Sequence, residues 1–436
     1  MKLLLLLMGI VLAVPVHAAD KILFRNAQIF DGRSEQLSVP RDVLVDGNKI
    51  SLVGTNLQVE GAREIQAEGL TLSPGFIDAH VHIMLQLSLL QAITSDSFFY
   101  AYEATRSAEN ILMNGFTTVR DMSGNSFSLK KAIDTGIVTG PRIFPSGPMI
   151  SQTSGHSDHR FDAHPSRMIR DEKNVLMNYD MVQIADGEAE VLRAAREALR
   201  RGASQVKIAG GGGVTSFADP IDVVQYTLPE MKAAVQAAAD YGTYVAVHAY
   251  TDQSIRRAVE AGVRTVEHGN LATASTLRLM RNKDVWLSPQ SIVFVEGVKG
   301  MNAVQKAKMD IVTKGLGDLF EAAKAVNFTN IAFGTDIVMD PKQLAGMSRE
   351  FTHRRKWFSA VEIMKQATSK NATMLALSGK RTPYDGKLGV IEEGALADIL
   401  LIKGNPLEDI SILTKPQENI LLIMKDGKIY KDIVTP

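Results

Sequence analysis

Leu72-Ser73-Pro74-Gly75-Phe76-Ile77-Asp78-Ala79-His80-Val81-His82 carries a short apolar run into two histidines one residue apart. Side chains alternate faces along a β-strand, so His80 and His82 project the same way and can grip one metal ion together. Alone, such a pair equally suits two ordinary polar residues at a strand end. The rest of the chain weighs on the choice: further apolar runs at 204–207, 244–248, 264–268 and 331–336 close on Lys207, His248, His268 and Asp336, so the HxH motif keeps metal-competent company.

Working outward, eight apolar runs can be counted, at 72–77, 117–122, 142–146, 205–209, 244–248, 265–267, 285–288 and 330–334. Helix-like segments such as 188–201, 229–241 and 253–261, each followed by a glycine, alternate with them. This alternation predicts an α/β chain built as a (β/α)8 TIM-like barrel over 74–371, with working residues at the C-terminal strand ends. Strand-like runs at 22–30, 42–53, 397–402 and 423–430 flank it. An isolated hairpin is barely stable, so both chain termini are expected to join in one small β-sandwich domain, 19–73 with 372–436. The stretch 151–186 shows no obvious helix and reads as a lid over the site.

Composition narrows the function. The chain has 436 residues, 45% of them hydrophobic, and 48 Lys plus Arg balance 48 Asp plus Glu. That balance offers neither a nucleic-acid footprint nor a polybasic membrane patch, and fits a small-molecule or dipeptide substrate. Residues 1–18 read as a cleavable signal peptide, with Lys2, an apolar stretch too short for the roughly 20 residues of a membrane span, and Val16-His17-Ala18 before the cut. A periplasmic or secreted protein without a stable membrane anchor is expected. With no cysteine in the chain, any metal must be held by nitrogen and oxygen.

Residues 74–82, Lys207, His248, His268 and Asp336, together with the carboxy-terminal Gly386-Lys387-Leu388-Gly389-Val390-Ile391-Glu392-Glu393-Gly394-Ala395-Leu396-Ala397-Asp398, resemble the binuclear-metal pattern of the amidohydrolase superfamily. The resemblance runs from about residue 20 to the end. It implies two divalent metal ions, one held by His80, His82 and Asp336, the other by His248 and His268, bridged by a carboxylated Lys207. An ammonium cannot sit among cations, whereas a carbamate made with carbon dioxide presents two anionic oxygens; the bland alternative is a lysine salt-bridged at the barrel mouth. Zinc is the default for such ligands, with manganese, cobalt and iron compatible. A hydroxide bridging the metals would attack a polarised carbonyl, and Asp336 would move its proton to the departing amine.

The segment 147–158 resembles a branch that includes Xaa-Pro dipeptidases, carboxypeptidases acting on Xaa-Arg or Xaa-Lys dipeptides, and ochratoxin-hydrolysing amidohydrolases. That likeness implies cleavage of dipeptides or N-acyl amino acids with release of a C-terminal amino acid, and a homo-oligomer. It makes His156 an oxyanion stabiliser and Tyr226 a contact to the substrate carbonyl or carboxylate; loop capping and helix packing are their alternatives. Arg160 is a candidate carboxylate clamp. His159, His164 and His353 fall outside the ligand pattern and read as surface or supporting residues. Gly210 to Gly213 lack the ending of a nucleotide loop and are expected to let backbone pass close to substrate. Three other readings stay open: a lactonase or phosphotriesterase, a cyclic-amide hydrolase resembling imidazolonepropionase, and a catalytically silent scaffold. Lys207, and Thr251 in place of an acid after His248, argue against the second. The complete ligand set argues against the third.

Overall fold

A computed structural model describes residues 21–434, Ala218 excepted. The leader expected at 1–18 lies outside the described residues, among which no helix is long and apolar enough to cross a membrane.

Both ends of the chain meet in one eight-stranded sheet, ordered Lys428–Asp432, Ile420–Lys425, Ile399–Lys403, Leu70–Pro74, Ile22–Ile29, Arg41–Asp46, Lys49–Gly54, with Arg63–Gln66 also paired to Ile22–Ile29. Period-two burial builds its core: Ile22 and Phe24, Val43 and Val45, Ile399 and Leu401, Leu422 and Met424 pack together with Leu72. Asp426 and Gly427 both adopt left-handed φ, 55° and 74°, as the two-residue turn of a right-twisting hairpin requires. Arg142 fastens this sheet to the rest of the molecule, through Nε to Asp398 Oδ2 at 3.1 Å and Nη2 to Asp426 Oδ1 at 2.6 Å.

The remaining strands are parallel. Phe76–Val81, Phe116–Asp121 and Arg142–Pro145 form one sheet; Val182–Ile184, Met149–Ser151, Val206–Ala209, Val245–Thr251, Thr265–Leu271 and Trp286–Ser288 form another. A backbone hydrogen bond links the two, from Ser204 N–H to the Pro145 carbonyl (2.8 Å), and Ala79 N–H ties the first to the segment 330–334 through the Phe333 carbonyl (2.9 Å). Helices Glu188–Arg200, Leu228–Asp240 and Asp252–Ala261 sit where helical periodicity and trailing glycines place them.

Three expectations need correction. The run 72–77 is not one strand: Leu70–Pro74 joins the terminal sheet and Phe76–Val81 the parallel one. Gly75 stands between them, at a position where a Cβ would fall 2.1 Å from Thr117 Oγ1. The run 330–334 is not a regular strand. It makes an isolated bridge, Leu287 to Ile331, and its backbone turns away to place Asp336. The stretch 151–186, which shows no obvious helix in the sequence, carries the short helix Val175–Asn178.

Candidate metal centre and its cavity

One cavity of about 910 Å³ opens over the C-terminal ends of the parallel strands and is lined by His80, His82, Lys207, His248, His268 and Asp336. The six side chains singled out in the sequence therefore face one space. Strand register explains the convergence: Ala209 pairs with His248 and Ala249 with His268, so Lys207 and the two histidines come from neighbouring rungs. His268 and Asp336 reach inward from left-handed backbone, φ 71° and 56°, a conformation costly for residues with a Cβ and concentrated at functional sites.

Donor atoms of His80, His82 and Asp336 lie within 4.8 Å of one another. His80 Nδ1 donates to Glu267 Oε2 at 2.8 Å, which leaves its Nε2 as a lone pair. That Nε2 is buried, has no hydrogen-bond partner, and stands 3.2 Å from Asp336 Oδ1. A lone pair buried against a carboxylate oxygen is a repulsive arrangement that a cation between them relieves, so these residues fit a metal. The other pair is prepared the same way. His248 Nε2 donates to the Gly212 carbonyl at 3.1 Å and His268 Nδ1 to Gln290 Oε1 at 2.7 Å, leaving His248 Nδ1 and His268 Nε2 for a ligand. Their rings are 4.6 Å apart.

Electrostatics agree with the geometry. Burial, then the charges of His156 and His268, hold His248 well below the usual imidazole range. His268 is pushed down to about 3 by burial, with Asp336 opposing and His80 assisting. Burial would raise the Asp336 carboxyl, but His80, His82 and His268 keep it well below the ordinary value. With His248 and His268 neutral and Asp336 ionised, these three side chains carry the protonation states that metal ligation needs. Lys207, 1% exposed, is pushed down to about 8 by burial, against the pull of Glu267 and Asp336.

Beneath the ligands lies a network that sequence reading missed. Arg120 and Glu267, both fully buried, meet through Nη2 and both carboxylate oxygens at 2.8 Å; Arg120 also binds the Ala79 carbonyl (2.6 Å) and Tyr244 Oη (3.1 Å). Glu267 in turn orients His80. A charged residue inside each of two apolar strand runs was the available signal.

The expected substrate contacts fare unevenly. His156 lines the cavity, its ring stacked on His248 at 3.9 Å, with Nδ1 3.1 Å from Ser216 Oγ and 3.7 Å from Asp219 Oδ2. Tyr226 does not line it: 2% exposed, it gives its hydroxyl to the Ala185 carbonyl at 2.9 Å, because burial of a phenol demands a local acceptor. Tyr250, which the sequence reading passed over, is the tyrosine in the cavity wall, stacked on His268 at 5.0 Å. Nor is Arg160 a cavity residue, since Asp158 two positions earlier takes its Nε and Nη2 at 2.7 and 2.6 Å. His159 joins the wall; His164 and His353 bond instead to Phe161 and Glu296. Gly213 of the glycine run makes room for His156, for a Cβ there would stand 1.7 Å from His156 Nδ1.

Imidazoles, a buried lysine and an aspartate gathered over the ends of parallel strands form a donor set suited to a metal-dependent hydrolase, and family and relatives make it one acting on amide and peptide C–N bonds. The chain belongs to the amidohydrolase family, whose family model matches residues 71–430. It is similar to an ochratoxinase of Aspergillus niger, 29% identical over 83% of this chain and 75% of that one. Among solved structures it resembles a prolidase complexed with N-methylphosphonate-L-proline (32% identical, TM-score 0.87, covering 94% of this chain and 100% of the other). It also resembles a Xaa-Pro dipeptidase with bound methionine (31% identical, TM-score 0.82, covering 94% and 100%).

Proposed function

We propose that this protein hydrolyses the amide bond of a dipeptide or N-acyl amino acid and releases the C-terminal amino acid, using two divalent metal ions, zinc by default. The observation that carries this reading is the buried, unpartnered His80 Nε2 facing Asp336 in the cavity shared with Lys207, His248 and His268. The likeness to a prolidase, a Xaa-Pro dipeptidase and an ochratoxinase supports it. The same reading takes the parallel strands as a closed (β/α)8 barrel and the terminal sheet as a sandwich domain.

His80, His82 and Asp336 would hold one cation, His248 and His268 the other. Lys207, as a carbamate, would serve both: burial lowers its pKa to about 8, so the free amine is within reach near neutral pH, and that amine would add to carbon dioxide, lose a proton and become anionic. When bound, the cations supply Lewis acidity and lower the pKa of a water to about 7. Asp336, ionised at neutral pH, is placed to take a proton and return it to the leaving nitrogen. His156 stands beside His248, where it can stabilise negative charge building on the carbonyl oxygen. Prolonged chelation should abolish hydrolysis of a dipeptide and N-acyl amino acid panel, and zinc should restore it as binding approaches two equivalents by elemental analysis. Activity that survives complete metal removal would sink the reading.

Gly213→Ala tests the placement of His156. The added methyl collides with the imidazole, and a misplacement of about 1 Å costs about a hundredfold in rate. We expect kcat to fall by that order while metal content and the far-ultraviolet circular dichroism stay unchanged.

A further inference from the structure

Resting on the amide-hydrolase reading above, we propose that the acyl side of the substrate is neutral and apolar, so that the enzyme takes N-acyl amino acids in preference to dipeptides carrying a free α-ammonium. The cavity supplies the reason. Its volume of about 910 Å³ lies near the upper end of the range for small-molecule sites, about 300–1,000 Å³. Its wall is mainly apolar, with Leu85, Leu176, Val214, Phe294, Met309 and Val338 contributing from separate segments of the chain. Among the described residues two carboxylates line it, Asp336 and Asp340. Asp336 lies within the metal-ligand group, its Oδ1 3.2 Å from His80 Nε2 and 2.9 Å from His82 Nε2. Asp340 is engaged as well: its Oδ2 lies 2.9 Å from Lys299 Nζ, and its Oδ1 accepts the Lys342 and Gln343 amides at 3.1 and 3.0 Å.

An ammonium entering this space therefore finds no unengaged acid. Burying it unpaired is strongly unfavourable, whereas a hydrocarbon or aromatic acyl group gains the whole wall. The other formal charges of the lining, beyond the metal ligands, are the cations Arg106, Lys299 and Lys342. Lys342 is exposed and makes no ion pair among the described residues, which suits the carboxylate of the leaving amino acid.

Matched substrates isolate the ammonium. Metal-loaded enzyme would be given leucyl dipeptides and their 4-methylpentanoyl counterparts, which differ only in replacing the α-ammonium by hydrogen, with alanine, leucine, phenylalanine and proline as leaving amino acids. We expect kcat/KM to favour the deamino member at least tenfold, and to rise on the order of a hundredfold from N-acetyl to N-hexanoyl. Calorimetric binding of the same pairs reads the preference whether or not the bond is cut. Tighter binding of deamino compounds without turnover would count against the hydrolase reading and leave this inference standing. Equal or better use of the free dipeptides, in binding and in turnover, would overturn it.

Discussion

Lys207→Ala is expected to abolish amide hydrolysis, with kcat/KM lowered by about a thousandfold or more, and to cut bound metal from near two equivalents to one or less. The expectation follows from burial. Lys207 is 1% exposed and lies in the cavity with His80, His82, His248, His268 and Asp336, where its own positive charge would oppose any cation. A function for that side chain among metals requires an anion, and carbamate formation is the route that a lysine amine offers. Adding a short carboxylic acid such as acetate or propionate to the variant should restore part of the activity, because the carboxylate can occupy the space the carbamate left. Elemental analysis, turnover and a melting curve on the same preparation separate loss of metal from loss of fold. An unimpaired Lys207→Ala enzyme would refute the bridge.

The largest stability effect is expected from Arg120→Met. Arg120 and Glu267 are both fully buried, and removal of one partner of a buried ion pair typically costs about 3–5 kcal/mol, because the other charge stays behind unmatched. The pH dependence carries a signature. Burial would raise the Glu267 carboxyl, yet Arg120 and then His80 hold it well below the ordinary range. In the wild type its contribution is therefore present above the unfolded pKa of about 4.3 and lost only as pH falls below that value. In the variant the unmatched carboxyl moves up instead, and its penalty grows as pH rises past the unfolded value. The stability gap between the two proteins should thus be widest at pH 8 and narrower at pH 5, measured by urea unfolding. A gap that widens on acidification would remove Glu267 from this role.

Much of this site was legible in the sequence because metal ligands must lie where strands end, and strand ends announce themselves. His80 and His82 share a face by the two-residue repeat alone, and Lys207, His248, His268 and Asp336 each close an apolar run. Contacts outside the ligands divide by where they sit. Tyr250 follows His248 by two residues in Val245–Thr251, so the same repeat puts it on the cavity face, whereas Tyr226 lies in a loop that no repeat governs and spends its hydroxyl on Ala185. Arg160 shows the same limit, since in the structure Asp158, two residues earlier, takes its guanidinium. Residues 330–334 looked like a strand by composition, but the backbone that must deliver Asp336 at a left-handed φ cannot continue a regular ladder.

The terminal sheet bears on the order in which the molecule is made. Leu70–Pro74 lies between Ile22–Ile29 and Ile399–Lys403, so one of its edges waits for a partner translated near the end of the chain. Until then that edge presents bare backbone groups, the kind of template on which nascent chains aggregate. The carboxy-terminal strands thus act as a seal applied late in synthesis, and a ribosome that stalls before residue 399 releases a chain with a sticky flank.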